Sequence, residues 1–439
     1  MKFPLLFFFL ISLQFSVAQS FLSIEKAQHI LLENNANIKQ AELQQKIAKI
    51  NLDQSYNALT PNINFSTSNQ YTMGLNFDQI TGQLITGNQW TNSINSNVSS
   101  SIVLFQGFRE FNTIKSSKTS HEIAQLDIEK LKYELQIQLL SLFFQGLINH
   151  DLYQASLEQS KLSQQQLQQE ETKIEVGKST VIDLAQAKNK VANDQLNITN
   201  SKNAYDLSIL KLKQLLELDI EKHISLIKPT LLMDNMVVYK SEFQQEKDPY
   251  LQLLEKQLDL SHIKTKLAKS DYYPSISLNT SYGTNYSSRR SESLYSSKTM
   301  SLLNQINQNR SLYIGLSISY AIYDKFTTRS NVKKAIIDIE SLTLQKDKTL
   351  RDRKLNMEQV KLEYLAAIEE NKAIQVAYET NKINFGAMTE RYNVGKSSSI
   401  DLFKAMTDFN IAEFRKITSQ YNVLAKGSLL KFINSNNLN

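Results

Sequence analysis

The sequence predicts a mixed α and β membrane protein in which long α-helical hairpins accompany four transmembrane β-strands per chain. Three observations carry that fold class. Of 439 residues only 11 are Gly and 5 are Pro, so turns are few and long helices must account for much of the chain. Two helix-compatible runs, about 108–175 and 326–392, each approach 70 residues. Paired stretches of about 12 residues alternate apolar with small polar side chains, longer than the five or six residues usual in soluble strands and matched to the 9 to 11 of a tilted membrane strand.

The chain begins with Lys2, an apolar run from Phe3 to Phe15 and the small-residue sequence Ser16-Val17-Ala18, the order of a secretory signal peptide over residues 1–18. No later stretch is long and apolar enough for a spanning helix, so an exported chain reaches a membrane only as β-barrel. Hydrophobic residues at 41% and charged residues at 21% argue against disorder. Cysteine is absent, which removes disulfides, thiolate metal sites and a cysteine nucleophile. A net charge of +6 is too mild to point to nucleic acid, and the five histidines are too scattered to form a ligand pair.

The rest of the chain is written twice. Leu59-Thr60-Pro61-Asn62-Ile63-Asn64-Phe65 aligns with Tyr272-Tyr273-Pro274-Ser275-Ile276-Ser277-Leu278 at an offset of 213, and Val176-Gly177-Lys178-Ser179 with Val394-Gly395-Lys396-Ser397 at 218. A first structural repeat therefore occupies 19–218, a linker 219–247 and a second repeat 248–439. Each repeat opens with a helical stretch (about 22–59 and 248–272) that stops at a proline, since the residue before proline is disfavoured in helix. Two strands separated by a polar loop follow, then the long helix, the Val-Gly-Lys-Ser turn and a final helix.

Within the strands one face is apolar and the other wet. Ile276, Leu278, Thr280, Tyr282 and Tyr286 oppose Ser275, Ser277, Asn279, Ser281 and Asn285; Leu312, Ile314, Leu316, Ile318, Tyr320 and Ile322 form a second such face. The first repeat is weaker, with Ile63, Phe65, Thr67, Tyr71 and Met73, then Trp90, Ile94, Val98, Ile102 and Leu104. A soluble sandwich also alternates, but its strands are shorter. Four strands cannot close a barrel, since such barrels begin at about eight, so several chains must share one. The loops near 72–89 and 287–310 then project from the face opposite the helices, and Arg289 and Arg290 on the second are candidates for contact with anionic lipid.

The long helices would extend about 100 Å. In 154–169 only Leu157, Leu162 and Leu167 offer apolar contacts among glutamines, and Val332, Ile336, Ile339 and Leu342 draw a narrow seam. Scattered Asp and Glu along these rods read as solvated faces. A hollow tube of packed helices fits this pattern; an exposed coiled-coil stalk accounts for the helices but not for the strand pairs.

Taken in order and in duplicate, Ser23-Ile24-Glu25-Lys26-Ala27 leading to Asn34-Asn35-Ala36-Asn37, the helix-ending Pro61 and Pro274, Leu104-Phe105-Gln106-Gly107 and the two Val-Gly-Lys-Ser turns resemble the TolC family of outer-membrane efflux and secretion channels. The resemblance covers essentially the whole chain after the leader. It implies a homotrimer with a shared twelve-stranded β-barrel in the outer-membrane lipid and a periplasmic α-barrel. It further implies docking, through a periplasmic adaptor (membrane fusion) protein, onto an inner-membrane transporter of RND or ABC type, with no cofactor. The implied gate lies at the Gly177 and Gly395 turns. There Asp401 looks like the ring carboxylate, Asp183 like its partner from the first repeat and Tyr392 like the latch tyrosine. Ser397 replaces an arginine of some members, and Lys404, a turn beyond Asp401, replaces a second aspartate and could pair with Asp401. Asp183 and Asp401 equally suit helix capping, while Gly177 and Gly395 suit turns with positive φ.

No catalytic constellation emerges. A phosphate loop would need glycine at Thr172 or Glu390. An enzyme is therefore not expected, and the alternative to a channel is a secreted or surface-attached helical structural or adhesin protein.

Overall fold

A computed structural model describes residues 20–78, 80–229, 243–291 and 298–435; the expected signal peptide and part of the expected linker lie outside them. Strand β1 (Ser20–Leu22) leads to helix α1 (Ile24–Asn34), whose first turn is capped by the Ser23 hydroxyl accepting from the Lys26 amide at 3.3 Å. The single helix expected over 22–59 is in fact two. Buried Asn35 interrupts it, its Oδ1 accepting from the amides of Asn37 (3.0 Å) and Ile38 (3.4 Å) and its Nδ2 donating to the Leu215 carbonyl (3.0 Å). An asparagine that serves as the cap of a new helix competes with continuation of the old one. Helix α2 (Ala36–Asn57) follows and stops before Pro61.

Strands β2 (Asn62–Met73) and β5 (Trp90–Gln106) flank a small hairpin of β3 (Asn76–Asp78) and β4 (Gln83–Ile85). Helix α3 (Arg109–Glu175) has 67 residues, α4 (Val181–Leu215) has 35, and β6 (Ile224–Leu226) pairs in parallel with β1. Then come α5 (Pro249–Ser270), β7 (Ser275–Ser287), α6 (Leu302–Gln308), β8 (Ser311–Ser319), α7 (Thr327–Asn393, again 67 residues) and α8 (Ser399–Ser435). Strand β8 stops at Ser319, short of the alternation expected through Ile322. At both junctions into a long helix two successive residues have positive φ: Gly107 and Phe108 (56° and 59°) before α3, Lys325 and Phe326 (57° and 60°) before α7.

The chain divides into two compact units, each drawing on both halves of the sequence. One comprises residues up to 41, 128–251 and 348–439. Its core gathers Leu31 and Ile38, a dense stretch of α3 from Tyr133 to Leu147, Leu212 and Leu216 at the end of α4, Ile224, and Tyr421 and Phe432 of α8. Arg353 fastens this region, donating to Asp248 (2.7 Å) and to the Tyr133 hydroxyl (2.8 Å) while its guanidinium lies 4.6 Å from the Tyr250 ring centre. Nearer the α3–α4 turn, α3 buries Ala155, Ser156, Gln159, Ser160, Ser163 and Glu170, and Leu162 is exposed. Leu157 and Leu167 stay half-buried, and beside them runs a seam of small and polar side chains, such as the Ser156–Ser201 hydroxyl pair at 2.7 Å. Small residues allow helix backbones to approach closely where no wide apolar stripe exists.

The other unit comprises residues 42–127 and 252–347. Here α5 is joined to α3 by Lys256–Glu122 (2.9 Å) and to α7 by Lys346–Glu255 (3.3 Å). Its four-stranded sheet has the order β2-β5-β7-β8, every pair antiparallel. Register places Phe65, Val98, Tyr282 and Leu312 in one row across all four strands, and Ile102, Leu278 and Leu316 in another. A bulge between Val103 and Phe105 changes the phase of β5, so Phe105 rather than Leu104 meets Ile276; one extra residue shifts every later side chain to the other face. On the opposite face Asn279 donates to Ser317 at 2.7 Å and Ser66 to Asn97.

Candidate functional site: an uncovered sheet and a paired helical tip

No second sheet layer covers the apolar rows among the described residues. Phe65 is 70% exposed and Leu316 60%, and neither belongs to the hydrophobic core. Both outer strands, β2 and β8, have one unpaired edge. An apolar face and two open edges of this length would aggregate in water, which rules out the soluble sandwich; in lipid they demand closure with further strands.

The connecting loops are more ordered than a polar loop requires. Ser287 donates to Asp78, which links the two loops, and buried Gln305 donates to the carbonyls of Ser287 and Met300, each at 2.9 Å. Arg289 donates to Gln89 (2.6 Å), the Trp90 carbonyl (2.9 Å) and Thr91 (3.3 Å). Its guanidinium is thus spent on joining the loops, which corrects its reading as a lipid contact.

The two Val-Gly-Lys-Ser turns are near copies. Gly177 donates to the Ile174 carbonyl (2.9 Å) and Lys178 to that of Lys173 (2.8 Å); Gly395 donates to Tyr392 (3.0 Å) and Lys396 to Arg391 (2.8 Å). This is the Schellman pattern, which ends a helix with a left-handed residue, and the glycines have φ of 70° and 73°. Each turn runs into a capped helix. Asp183 and Thr180 form a reciprocal capping box at the start of α4. Asp401 accepts from the Ser398 hydroxyl at 2.8 Å, and the Asp401 amide donates back to that hydroxyl at 3.2 Å. Both aspartates therefore cap helices, as their position in the first turn requires.

Asp183 does more. The Ser399 hydroxyl donates to its carboxylate, joining the first hairpin to the second. That bond, followed by the Thr180 hydroxyl, holds the Asp183 carboxyl below the ordinary carboxylate range. Asp401 is also lowered, first by Ser398, with the charges of Arg391 and Lys404 as smaller contributions. Lys404 is exposed and acts through its field, the Asp401 carboxylate being engaged by Ser398.

Tyr392 lies on the same tip with the Lys173 ammonium 3.9 Å from its ring centre. Burial, then hydrogen bonding with Glu170, pushes its phenol well up. Glu170 is 0% exposed and also accepts from Lys173 (3.1 Å) and Ser179 (2.8 Å). It corrects the expectation that acids on the long helices are solvated. Its i, i+3 spacing from Lys173 was visible in the sequence; the second and third partners, Ser179 and Tyr392, come from a turn and from another helix. The Ser397 hydroxyl has no hydrogen-bond partner among the described residues, so it does not take over an arginine's role.

The sequence matches the outer membrane efflux protein family over residues 28–217 and 244–431. The chain belongs to that family. No curated protein matches it in sequence. Among solved structures similar to this efflux-family chain are the CmeC outer membrane channel of Campylobacter jejuni (TM-score 0.77, 17% identity, 92% of this chain and 84% of that one) and VceC of Vibrio cholerae (0.76, 12%, 94% and 95%). The MtrE outer membrane channel of Neisseria gonorrhoeae, solved in an open state, is another (0.74, 14%, 94% and 88%). At such identities the likeness speaks to the fold. Family and fold together make this an outer-membrane efflux channel protein whose four-stranded sheet is its share of a membrane β-barrel and whose long helices lie in the periplasm. The family is one of channels, not enzymes.

Proposed function

We propose that three copies of this chain close one twelve-stranded barrel and serve as the passive exit duct of a tripartite efflux pump or type I secretion system, gated at the periplasmic helical tip. The observation that carries the reading is the four-stranded sheet itself, with an apolar face left bare and β2 and β8 unpaired at its two edges. A neighbouring chain's strand would satisfy each edge, and lipid would cover the bare rows. The opposite face, lined by small uncharged residues such as Ser66, Asn97, Ser281 and Ser317, suits a wet lumen that imposes little chemistry on its cargo. The two halves of the chain, 19–218 and 248–439 with the linker 219–247 between them, act as equivalent repeats, each supplying one strand pair and one helical hairpin.

The gate is built from Gly177 and Gly395, Asp183, Asp401, Tyr392 and Lys404, to which Glu170, Lys173 and Ser399 are added. Opening separates the second hairpin from the first. Asp401 faces the pore and Lys404 moderates its negative field, so selection for cations is weaker than a ring of carboxylates alone would give. A periplasmic adaptor protein and an inner-membrane transporter of RND or ABC type complete the path. The test is membrane fractionation followed by planar-bilayer recording. A detergent-requiring outer-membrane trimer that conducts, with Asp401→Ala changing conductance or cation preference, is expected. A soluble or shed fraction, or a trimer that never conducts even with its tip bonds removed, refutes the duct.

A further inference from the structure

Helix α6 lies against β7 on the same side of the sheet as the apolar rows: the Thr284 hydroxyl donates to the Ile306 carbonyl at 2.8 Å, and Asn309 donates to the Asn285 carbonyl at 2.7 Å. Between helix and sheet is a crevice of about 280 Å³, floored by Phe65, Val98 and Tyr282, walled by Ile306 and bordered by Arg310. Ser96, Asn97, Thr284 and Asn307 also line it, and its open surface is mostly apolar. The short helix is two-sided, with Leu302, Leu303 and Ile306 apolar and exposed, and Gln305 buried on the other side, where it bonds the loop backbone. Arg290, which donates to Gln308 at 3.2 Å, adds a second guanidinium at the same end of the helix.

From this geometry we infer that the crevice is a binding site for one acyl chain of a phosphate-bearing membrane lipid, the chain lying over Phe65, Val98 and Tyr282 and the headgroup phosphate meeting Arg310 and Arg290. Three features select this occupant. The crevice is continuous with the row Phe65–Val98–Tyr282–Leu312, which faces lipid in the barrel, so an acyl chain enters it sideways without crossing water. The polar side chains of Ser96, Asn97 and Thr284 in its lining already have partners in Thr67, Ser66 and the Ile306 carbonyl, so they do not call for a peptide or a sugar. Among the described residues the charged side chain in its lining is Arg310, with Arg290 bonded to Gln308 nearby, and guanidinium groups pair with phosphate in a planar, bidentate manner. Apolar contact along the chain then adds affinity with each buried methylene, while the arginines select the headgroup. The inference rests on the barrel reading for the direction the sheet faces.

The test is native mass spectrometry of the detergent-solubilised trimer titrated with phosphatidylglycerol or with phosphatidylcholine of the same chains. Retention of up to three phosphatidylglycerol molecules per trimer, with phosphatidylcholine held at least tenfold more weakly, is expected. Val98→Trp, which fills the crevice, should abolish retention of both lipids; Arg310→Gln should remove only the headgroup preference. Ile306→Asn, at an exposed position, gives a second reading should the tryptophan disturb folding. Equal retention in the filled and wild-type proteins, or none in wild type although the trimer forms and conducts, overturns the site. Loss of the trimer or of conductance in the wild-type protein would instead count against the duct, so the two failures are distinguishable.

Discussion

Replacing Ser399 with alanine tests whether the bond between the two hairpins controls opening. Ser399 is 4% exposed and donates to the Asp183 carboxylate. A hydrogen bond to a charged acceptor contributes about 1.5–3 kcal/mol. Because Asp183 keeps Thr180 as a partner at 2.6 Å, its carboxylate is not orphaned, and the low end of that range, about 1.5 kcal/mol, applies. That is about tenfold in the equilibrium between joined and parted hairpins for each subunit. Were three subunits to open together, three distant and independent sites would add to about 4.5 kcal/mol. Single-channel recording should therefore show Ser399→Ala opening far more often than wild type. Thr180→Ala is the control, since it removes a helix cap worth about 1 kcal/mol but leaves the Ser399 bond; it should lower thermal stability without raising open probability. Ser399→Ala and Thr180→Ala giving the same open probability would refute the reasoning, because capping alone would then explain both.

Two further outcomes follow from the sheet and from the region around Asp151. Leu316→Arg places a charge on the lipid face and should cost about 2–4 kcal/mol per chain near the bilayer midplane, read as loss of heat-resistant trimer, whereas the adjacent Ser317→Arg should still insert and change conductance. Burial raises the Asp151 carboxyl, but bonds from His150, Lys228 and Tyr421 outweigh it and bring its pKa to about 2. A carboxyl depressed on folding contributes stability that is whole above its unfolded pKa and is lost as pH falls through the folded one. About 2 kcal/mol should therefore disappear between pH about 4 and about 2, as measured by acid unfolding, and Asp151→Asn should flatten that part of the profile.

The order of elements, the two long helices, the alternating strands and the glycine turns were legible in the chain because each depends on local rules. Period two along a strand, the scarcity of helix breakers and positive φ at a Schellman glycine involve neighbours within a few residues. The break at Asn35 was not legible, because the same residue suits a helix interior poorly and a cap well, and what favours the cap is a carbonyl at Leu215, 180 residues away. The bulge at Leu104 likewise depends on how β5 registers with β7.

At the tip, local residue order alone put Gly177, Asp183, Tyr392, Gly395 and Asp401 close to a turn. Their partners depend on which helices the fold packs together. It made Glu170 a buried hub, assigned Ser399 to Asp183, engaged the Asp401 carboxylate with Ser398 and spent Arg289 within the loops. The physical reason is range. Backbone geometry is set by a residue and its immediate neighbours, whereas the environment of a charge is set by whichever helix face the whole fold brings against it.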